Sequence, residues 1–309
     1  MMEETAGDPI TGMKWSRKAT VKISVELRKR GINVGPKTVA RLLVKMGFTM
    51  KTCRKNIESA RSRKPGYRKR RDDQFKKIKR LRAKYKRMGA PAISIDSKKK
   101  EKVGNFKNDG TAWRKDAKEV LDHDFPSDAK GKAIPYGIYD TEKNKALVVV
   151  GTSSETPEFA VDAIEKWWLL AGRRDYKQAE QLLILADCGG GNGNRSTVWK
   201  REVQAKLCNR HGLVVTICHY PPGASKWNPI EHRVFSAISR NWSGVPLVSN
   251  ETVLNYIRTT TTETGLTVRS VLNSRKYPKG KKATKLELAN LKISRDPELP
   301  DWNYTIRPQ

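Results

Sequence analysis

The sequence predicts an α/β fold, a mixed β-sheet covered by helices, behind an all-α leading region. Two observations predict it. From about residue 90 onward, apolar runs of strand length alternate with stretches of helical periodicity. Before that point only helical periodicity and basic linker occur.

Residues 15–48 read as a helix-turn-helix. Ser16 offers an N-cap ahead of Val21, Ile23, Val25 and Leu27, and Gly31 stops the first helix. Ile32 to Gly35 forms the turn. Pro36 opens a second helix over Lys37 to Met46, with Gly47 ending it. Val39, Leu42, Leu43 and Met46 make its apolar stripe, while Lys37, Thr38 and Arg41 face outward, the layout of a helix that reads DNA base edges. Residues 51–90 hold 18 Lys or Arg against Glu58, Asp72 and Asp73, a net +15. A flexible linker is expected at Arg61 to Gly66. A helix follows from Asp72 to Arg87, with Phe75, Ile78, Leu81 and Tyr85 on one side and cations suited to tracking phosphates around the rest.

Ala90 to Asp96 reads as a buried strand, and residues 97–132 as a basic insertion. Strands are expected at Ile134–Asp140 and Ala146–Gly151, a helix at Pro157–Ala171 and a strand at Leu182–Ala186. A helix at Thr197–His211 and a strand at Leu213–Cys218 come next, and a last helix starts at Pro229. Three strands, helix, strand, helix, strand, helix is the order of a ribonuclease-H-like mixed sheet. In that topology the first and fourth strands are neighbours, which would bring Asp96 beside Asp187. The expected divisions are a helix-turn-helix region at 1–50, a basic linker and helix at 51–89, the catalytic domain at 90–245 and a helical, basic extension at 246–309.

The chain has 309 residues, with 63 Lys and Arg against 32 Asp and Glu, a net charge of +31 and a pI near 10.1. Such an excess favours phosphate backbones or anionic membranes. No apolar run approaches the roughly 18–20 residues of a membrane span, and no signal segment opens the chain. Nucleic acid in the cytoplasm, at the bacterial nucleoid, is therefore expected rather than a membrane. Cys53, Cys188, Cys208 and Cys218 form no Cys-x-x-Cys pair and read as ordinary reduced thiols.

Against this basic background stand three acids. Asp96 ends Ile93-Ser94-Ile95-Asp96, and Asp187 ends Leu182-Leu183-Ile184-Leu185-Ala186-Asp187. Glu231 lies in the first turn of the helix opened by Pro229. Carboxylates brought together repel unless cations neutralise them. Two Mg²⁺ or Mn²⁺ ions about 3.5–4 Å apart are the usual device for phosphoryl transfer, and hard oxygen ligands suit those ions. The loop Cys188-Gly189-Gly190-Gly191-Asn192-Gly193-Asn194 has little side-chain bulk and could let a DNA backbone approach.

Three blocks carry a family resemblance: Ile95 to Asn108, Ala186 to Gly193, and Cys218 to Arg233. With Lys132 to Gly137, Trp167-Trp168 and Trp302 to Ile306, they resemble the ISAzo (Rhodopirellula-type) insertion-sequence transposases of the DDE class. The resemblance implies catalytic, metal-binding acids at Asp96, Asp187 and Glu231. It implies cleavage at the element's terminal inverted repeats and transfer of the freed 3′-hydroxyls to target DNA, by two copies in a synaptic complex. DNA contacts are expected from Lys37, Thr38, Arg41, Lys98, Lys99, Lys100, Trp113, Arg114, Lys226 and Arg233, with Asn192, His219 and His232 supporting the acids. Cys188 stands where the family usually has Gly. The family usually carries more sequence ahead of the helix-turn-helix, so an N-terminally shortened copy is expected. The competing reading is such a fragment acting only as a DNA-binding protein.

Overall fold

The computed structural model describes residues 5–7, 14–16, 19–50 and 65–309, in two compact units, Met1–Arg61 and Ser62–Gln309. Residues 51–64, with Cys53 and most of the expected linker, lie outside the described residues.

In the first unit, β1 (Thr5–Gly7) pairs antiparallel with β2 (Lys14–Ser16), and α1 (Thr20–Lys29) and α2 (Pro36–Lys45) follow. Ser16 is thus a strand residue and not the expected N-cap; Ala19 takes that place without a side-chain cap. Val21, Ile23 and Val25 are spaced by two, which cannot line one face of a helix of period 3.6. Ile23 is accordingly buried, while Val21 and Val25 are exposed. The expected stripe on α2 also narrows, for Val39 is buried and Leu43 half-buried while Leu42 and Met46 are exposed. The buried Ser24 hydroxyl donates to the Val34 carbonyl and ties the turn to α1.

The second unit opens with α3 (Tyr67–Arg87) and is built on one sheet. Its strands are β3 (Ala92–Ser97), β4 (Glu101–Val103), β5 (Gly131–Asp140), β6 (Lys145–Gly151), β7 (Gln181–Ala186), β8 (Val214–His219), β9 (Thr267–Asn273), β10 (Ile293–Arg295) and β11 (Asn303–Ile306). The order is β10-β11-β8-β7-β3-β5-β6-β9, with β4 on β5. The five central strands are the antiparallel meander and parallel pair of a ribonuclease-H-like fold. The tail, expected as a helical and basic extension, instead supplies both sheet edges. β9 runs parallel to β6, and β11 lies antiparallel to β8. β10 and β11 are short, and β9 has only Val268, Val271 and Leu272 as apolar residues among seven, so all three leave a weak periodic signal.

α4 (Pro157–Trp167) starts at an N-cap where the Thr156 hydroxyl accepts from the Phe159 N–H. It continues through a π-type turn, Trp168–Gly172, to α5 (Arg173–Asp175). α6 (Thr197–Glu202) likewise runs into a π-type turn, Val203–Asn209. Residues 229–241 form one helix, with a π-type turn at Glu231–Phe235 followed by α7 (Ser236–Asn241). α8 (Asn250–Arg258) and α9 (Lys285–Ala289) complete the unit. α4 and α6 cover one face of the sheet, with Phe159, Trp167 and Trp199 in its core. The 229–241 helix and α8 cover the other, around Ile230, Val234, Phe235 and Ile257.

Gly137 on β5 lies opposite Asp96 and beneath the 229–241 helix. A Cβ there would stand 2.6 Å from Ile230 Cδ1 and 2.8 Å from Phe235 Cε1. Close packing of that helix on the sheet therefore requires glycine. Gly137→Ala is expected to lower stability by about 1–3 kcal/mol, the usual range for overpacking. An unchanged urea-unfolding midpoint would refute this contact.

Candidate active site

The parallel register of β3 on β7 pairs Ser94 with Leu185. Two residues further along each strand come Asp96 and Asp187, which the topology therefore sets side by side. Asp96 is 8% exposed. Its Oδ1 accepts the Ser97 N–H at 2.8 Å. Its carboxyl is pushed up to about 8, first by burial and then by the Asp187 charge, with the Ser97 bond opposing and Glu231 adding to the rise. Glu231 is therefore near enough for its charge to act on the Asp96 carboxyl. The three expected acids thus face one another at one end of the sheet.

Each acid is held by polar groups. Asp187 Oδ1 accepts the Gly189 N–H at 3.2 Å and the Asn192 amide at 3.0 Å, and Asn192 is itself buried. The Asp187 carbonyl accepts from His219 Nδ1 at 2.7 Å. That bond requires the Nδ1–H tautomer, so the Tyr304 hydroxyl donates to Nε2 at 3.0 Å, and Trp199 Nε1 donates to Tyr304 at 3.0 Å. Burial lowers His219 to about 4, so the ring is neutral in this relay. Glu231 is placed by the buried Asn228. Its amide donates to the Ile95 carbonyl at 2.9 Å and its Oδ1 accepts from the Ser94 hydroxyl, which in turn accepts the Ile230 N–H at 3.0 Å. The loop bearing Glu231 is thereby bonded directly to the strand bearing Asp96. Ser94, Asn228, Trp199 and Tyr304 were not singled out in the sequence. A serine inside an apolar strand run and an asparagine beside Pro229 were the available signals.

The remaining expected residues separate into groups. Lys99, Lys226 and Arg233 are exposed. Lys98 is turned inward, pairing with Glu101 at 2.8 Å and lying 4.5 Å from the Trp242 ring centre, so it is withdrawn from the expected DNA contacts. Lys100 pairs with Glu155 at 3.2 Å. Trp113 is fully exposed and Arg114 donates to the Gly244 carbonyl at 3.4 Å. His232 is exposed and donates back to the Lys226 carbonyl, away from the acids. Lys37, Thr38 and Arg41 lie on α2 of the first unit.

Two further expectations change. The glycines after Asp187 serve internal packing as well as openness. A Cβ on Gly191 would meet the Thr156 carbonyl oxygen at 2.9 Å, and one on Gly193 the Cys188 carbonyl oxygen at 3.2 Å. Cys188 is accommodated beside the second acid because its thiol donates to the Tyr220 carbonyl at 3.0 Å. Burial pushes that thiol, like those of Cys208 and Cys218, up to about 12.

Among the described residues no three His, Cys, Asp or Glu side chains are gathered tightly enough to hold a metal ion as they stand. The donor chemistry nevertheless fits a hard divalent cation. Three carboxylates converge where burial and like charge hold a proton on Asp96, and a cation would replace that proton. Beside them the fully buried Tyr136 hydroxyl lacks a hydrogen-bond partner among the described residues, and its acidity is suppressed by burial, then by Asp96, Asp187 and Glu155.

A ribonuclease-H-like sheet with two aspartates at the ends of adjacent strands and a glutamate on a following helix is the arrangement expected of a DDE-type polynucleotidyl transferase. The family profile described as the Rhodopirellula transposase DDE domain matches residues 1–308. The chain belongs to that family and is a DDE-type DNA transposase of an insertion sequence. Its family chemistry depends on divalent metal. Among solved structures it is similar to a Mos1 transposase paired-end complex with left transposon end, at 13% identity and TM-score 0.46, over 81% of this chain and 73% of that one. It is also similar to a Mos1 mariner paired-end complex with Mn, at 13% identity and TM-score 0.45, over 78% and 65%. No curated protein matches in sequence.

The folded pKa of Asp96, about 8, lies above its ordinary value of 3.8. The folded state therefore binds this proton more tightly than the unfolded chain. The contribution of Asp96 to metal-free stability should be fully present below about pH 4 and be lost as pH rises to about 8. Thermal melts should show this fall flattened by Asp96→Asn and by added Mg²⁺; a fall of the same size in Asp96→Asn would refute the assignment. Asn228→Ala should cost about 1–3 kcal/mol in urea unfolding, because it orphans the buried Ile95 carbonyl and Ser94 hydroxyl.

Proposed function

We propose that Asp96, Asp187 and Glu231 are the catalytic acids of this transposase and together hold two Mg²⁺ or Mn²⁺ ions. The chain would then cut the ends of its element and join the freed 3′-hydroxyls to target DNA. The observation that carries the reading is the convergence of three acids, one of them pushed up to about 8 by burial and then by its neighbours' charge, in a chain of net charge +31. When bound, the ions would neutralise charge on the reacting phosphate and activate the attacking oxygen.

The chain's own residues hold the geometry. Ser97 and Gly189 N–H groups and the Asn192 amide orient the two aspartates. Neutral His219 fixes the Asp187 backbone through its carbonyl. Exposed Lys99, Lys226 and Arg233 would bind phosphates flanking the acids. Trp113 and Arg114, in the 97–132 segment, would contact DNA or a second subunit. Lys37, Thr38 and Arg41 on α2 would read base edges of the terminal inverted repeat as part of a helix-turn-helix. Two copies would act together in a synaptic complex.

The test is purified protein on a labelled duplex carrying the element's terminal inverted repeat, with Mg²⁺ or Mn²⁺. Metal-dependent nicking is expected, with a loss of at least about a hundredfold in Asp187→Ala, as for removal of a principal electrostatic group. Cleavage persisting in Asp187→Ala would overturn the assignment.

A further inference from the structure

A hollow of about 310 Å³ lies between α3 and the loop leading to Glu231, outside the acid cluster. Phe75, Arg82, Lys79 and Lys86 of α3 line it on one side, and Trp227 and Glu142 on the other. Its walls are aromatic. Phe75 meets Trp227 edge-on with ring centres 6.2 Å apart, and Tyr220 at 6.1 Å. Trp227 is nevertheless 55% exposed beside the most basic helix of the unit, with the Lys226 ammonium 5.3 Å from its ring centre. The rim is cationic. Its one acid, Glu142, is engaged by Lys86 at 2.9 Å. The Nε of Arg82 is buried and has no hydrogen-bond partner among the described residues.

We infer that this hollow binds one unstacked nucleotide of DNA, its base against Trp227 and Phe75 and its phosphate on Arg82 and Lys79. The inference rests on the proposed action on DNA and adds a second contact class to it. A hollow of this volume is at the small end of ligand pockets, roughly 300–1,000 Å³. It admits one base and not a base pair, so a base must leave the duplex to enter it. Aromatic walls with a basic rim are the general means of holding single-stranded nucleotides without reading their sequence. The charge argues against an apolar segment of a second copy as the occupant.

The experiment is fluorescence anisotropy with the full chain, using a fluorescein-labelled duplex that carries one extrahelical thymine and the same duplex fully paired. The protein should bind the bulged duplex roughly tenfold more tightly, the scale of one base–aromatic stack. Trp227→Ala should abolish that preference while keeping affinity for the paired duplex, and Trp227→Phe should retain most of it. Arg82→Gln should weaken binding to the bulged duplex more than to the paired one. Equal binding of both duplexes by the unaltered protein, or a preference that survives Trp227→Ala, would overturn the inference and leave the catalytic reading standing. A change of oligomeric state in Trp227→Ala by light scattering, with DNA preference unchanged, would assign the hollow to a second copy and overturn it too. Binding to neither duplex would overturn the DNA reading on which it rests.

Discussion

The parallel pairing of β3 with β7 is the constraint on which the rest of the site depends. It sets two aspartates level at the carboxyl end of the sheet, and the register allows no relief by sliding, because a one-residue slip would turn every buried side chain of a strand to the wrong face. The register in turn is fixed by Ile93, Ile95, Leu182 and Ile184, all wholly buried. Apolar packing therefore enforces an electrostatically unfavourable arrangement. Without a cation the cost is reduced by keeping a proton on Asp96. Stability and chemistry oppose each other here: the same burial that raises the Asp96 pKa strengthens any charge interaction made at that spot.

An arrangement of this kind keeps its shape only if its surroundings are stiff, and the surroundings are buried polar networks. Ser94, Asn228 and Ile230 join β3 to the helix of Glu231. Trp199, Tyr304 and His219 reach the Asp187 backbone from α6, β11 and β8. A third network continues outward. The Gln74 amide donates to the His219 carbonyl at 2.9 Å and exchanges hydrogen bonds with Asn303 at 2.8 and 2.6 Å. Buried networks of this kind rigidify when every member is satisfied, and destabilise when one partner is lost. The segments they join are distant in sequence. The C-terminal strand is consequently part of the support of the candidate site, although it carries none of the acids.

The sequence made the central sheet legible because its strands are runs of wholly buried apolar residues bounded by turns. Asp96 and Asp187 were legible because an acid closing such a run is conspicuous. What could not be read there depends on long-range contacts. Lys98 lies in a run of three lysines, and nothing local separates it from Lys99; only the fold brings Trp242 and Glu101 to it. Gly191 reads as openness in a loop until Thr156 is found against it. Ser16 has the chemistry of an N-cap, but a strand takes it. Tyr304 sits in a four-residue strand at the end of the chain, where its role is set by His219 and Trp199, 85 and 105 positions away.

The basic helix follows the same logic. A segment as cationic as α3 would repel itself in isolation, yet it is helical because one stripe of it is core. Ile78 and Tyr85 are buried, and the Tyr85 hydroxyl donates to Thr216 on β8 at 3.0 Å. Acids from the rest of the unit meet it: Asp296 pairs with Lys77, Asp301 with Arg70 at 3.0 Å, and Glu142 with Lys86. These pairs are few against the cations present, so a strong positive field remains along the outer face. That field and the acid cluster are opposite charges held apart on one rigid unit. A polyanion drawn to the helix still meets the negative acid cluster, and the divalent cations proposed there would reconcile the two. On the proposed reading, the large basic excess and the acid cluster are two halves of one electrostatic design, in which phosphate is attracted broadly and would be admitted to the reacting position in company with metal.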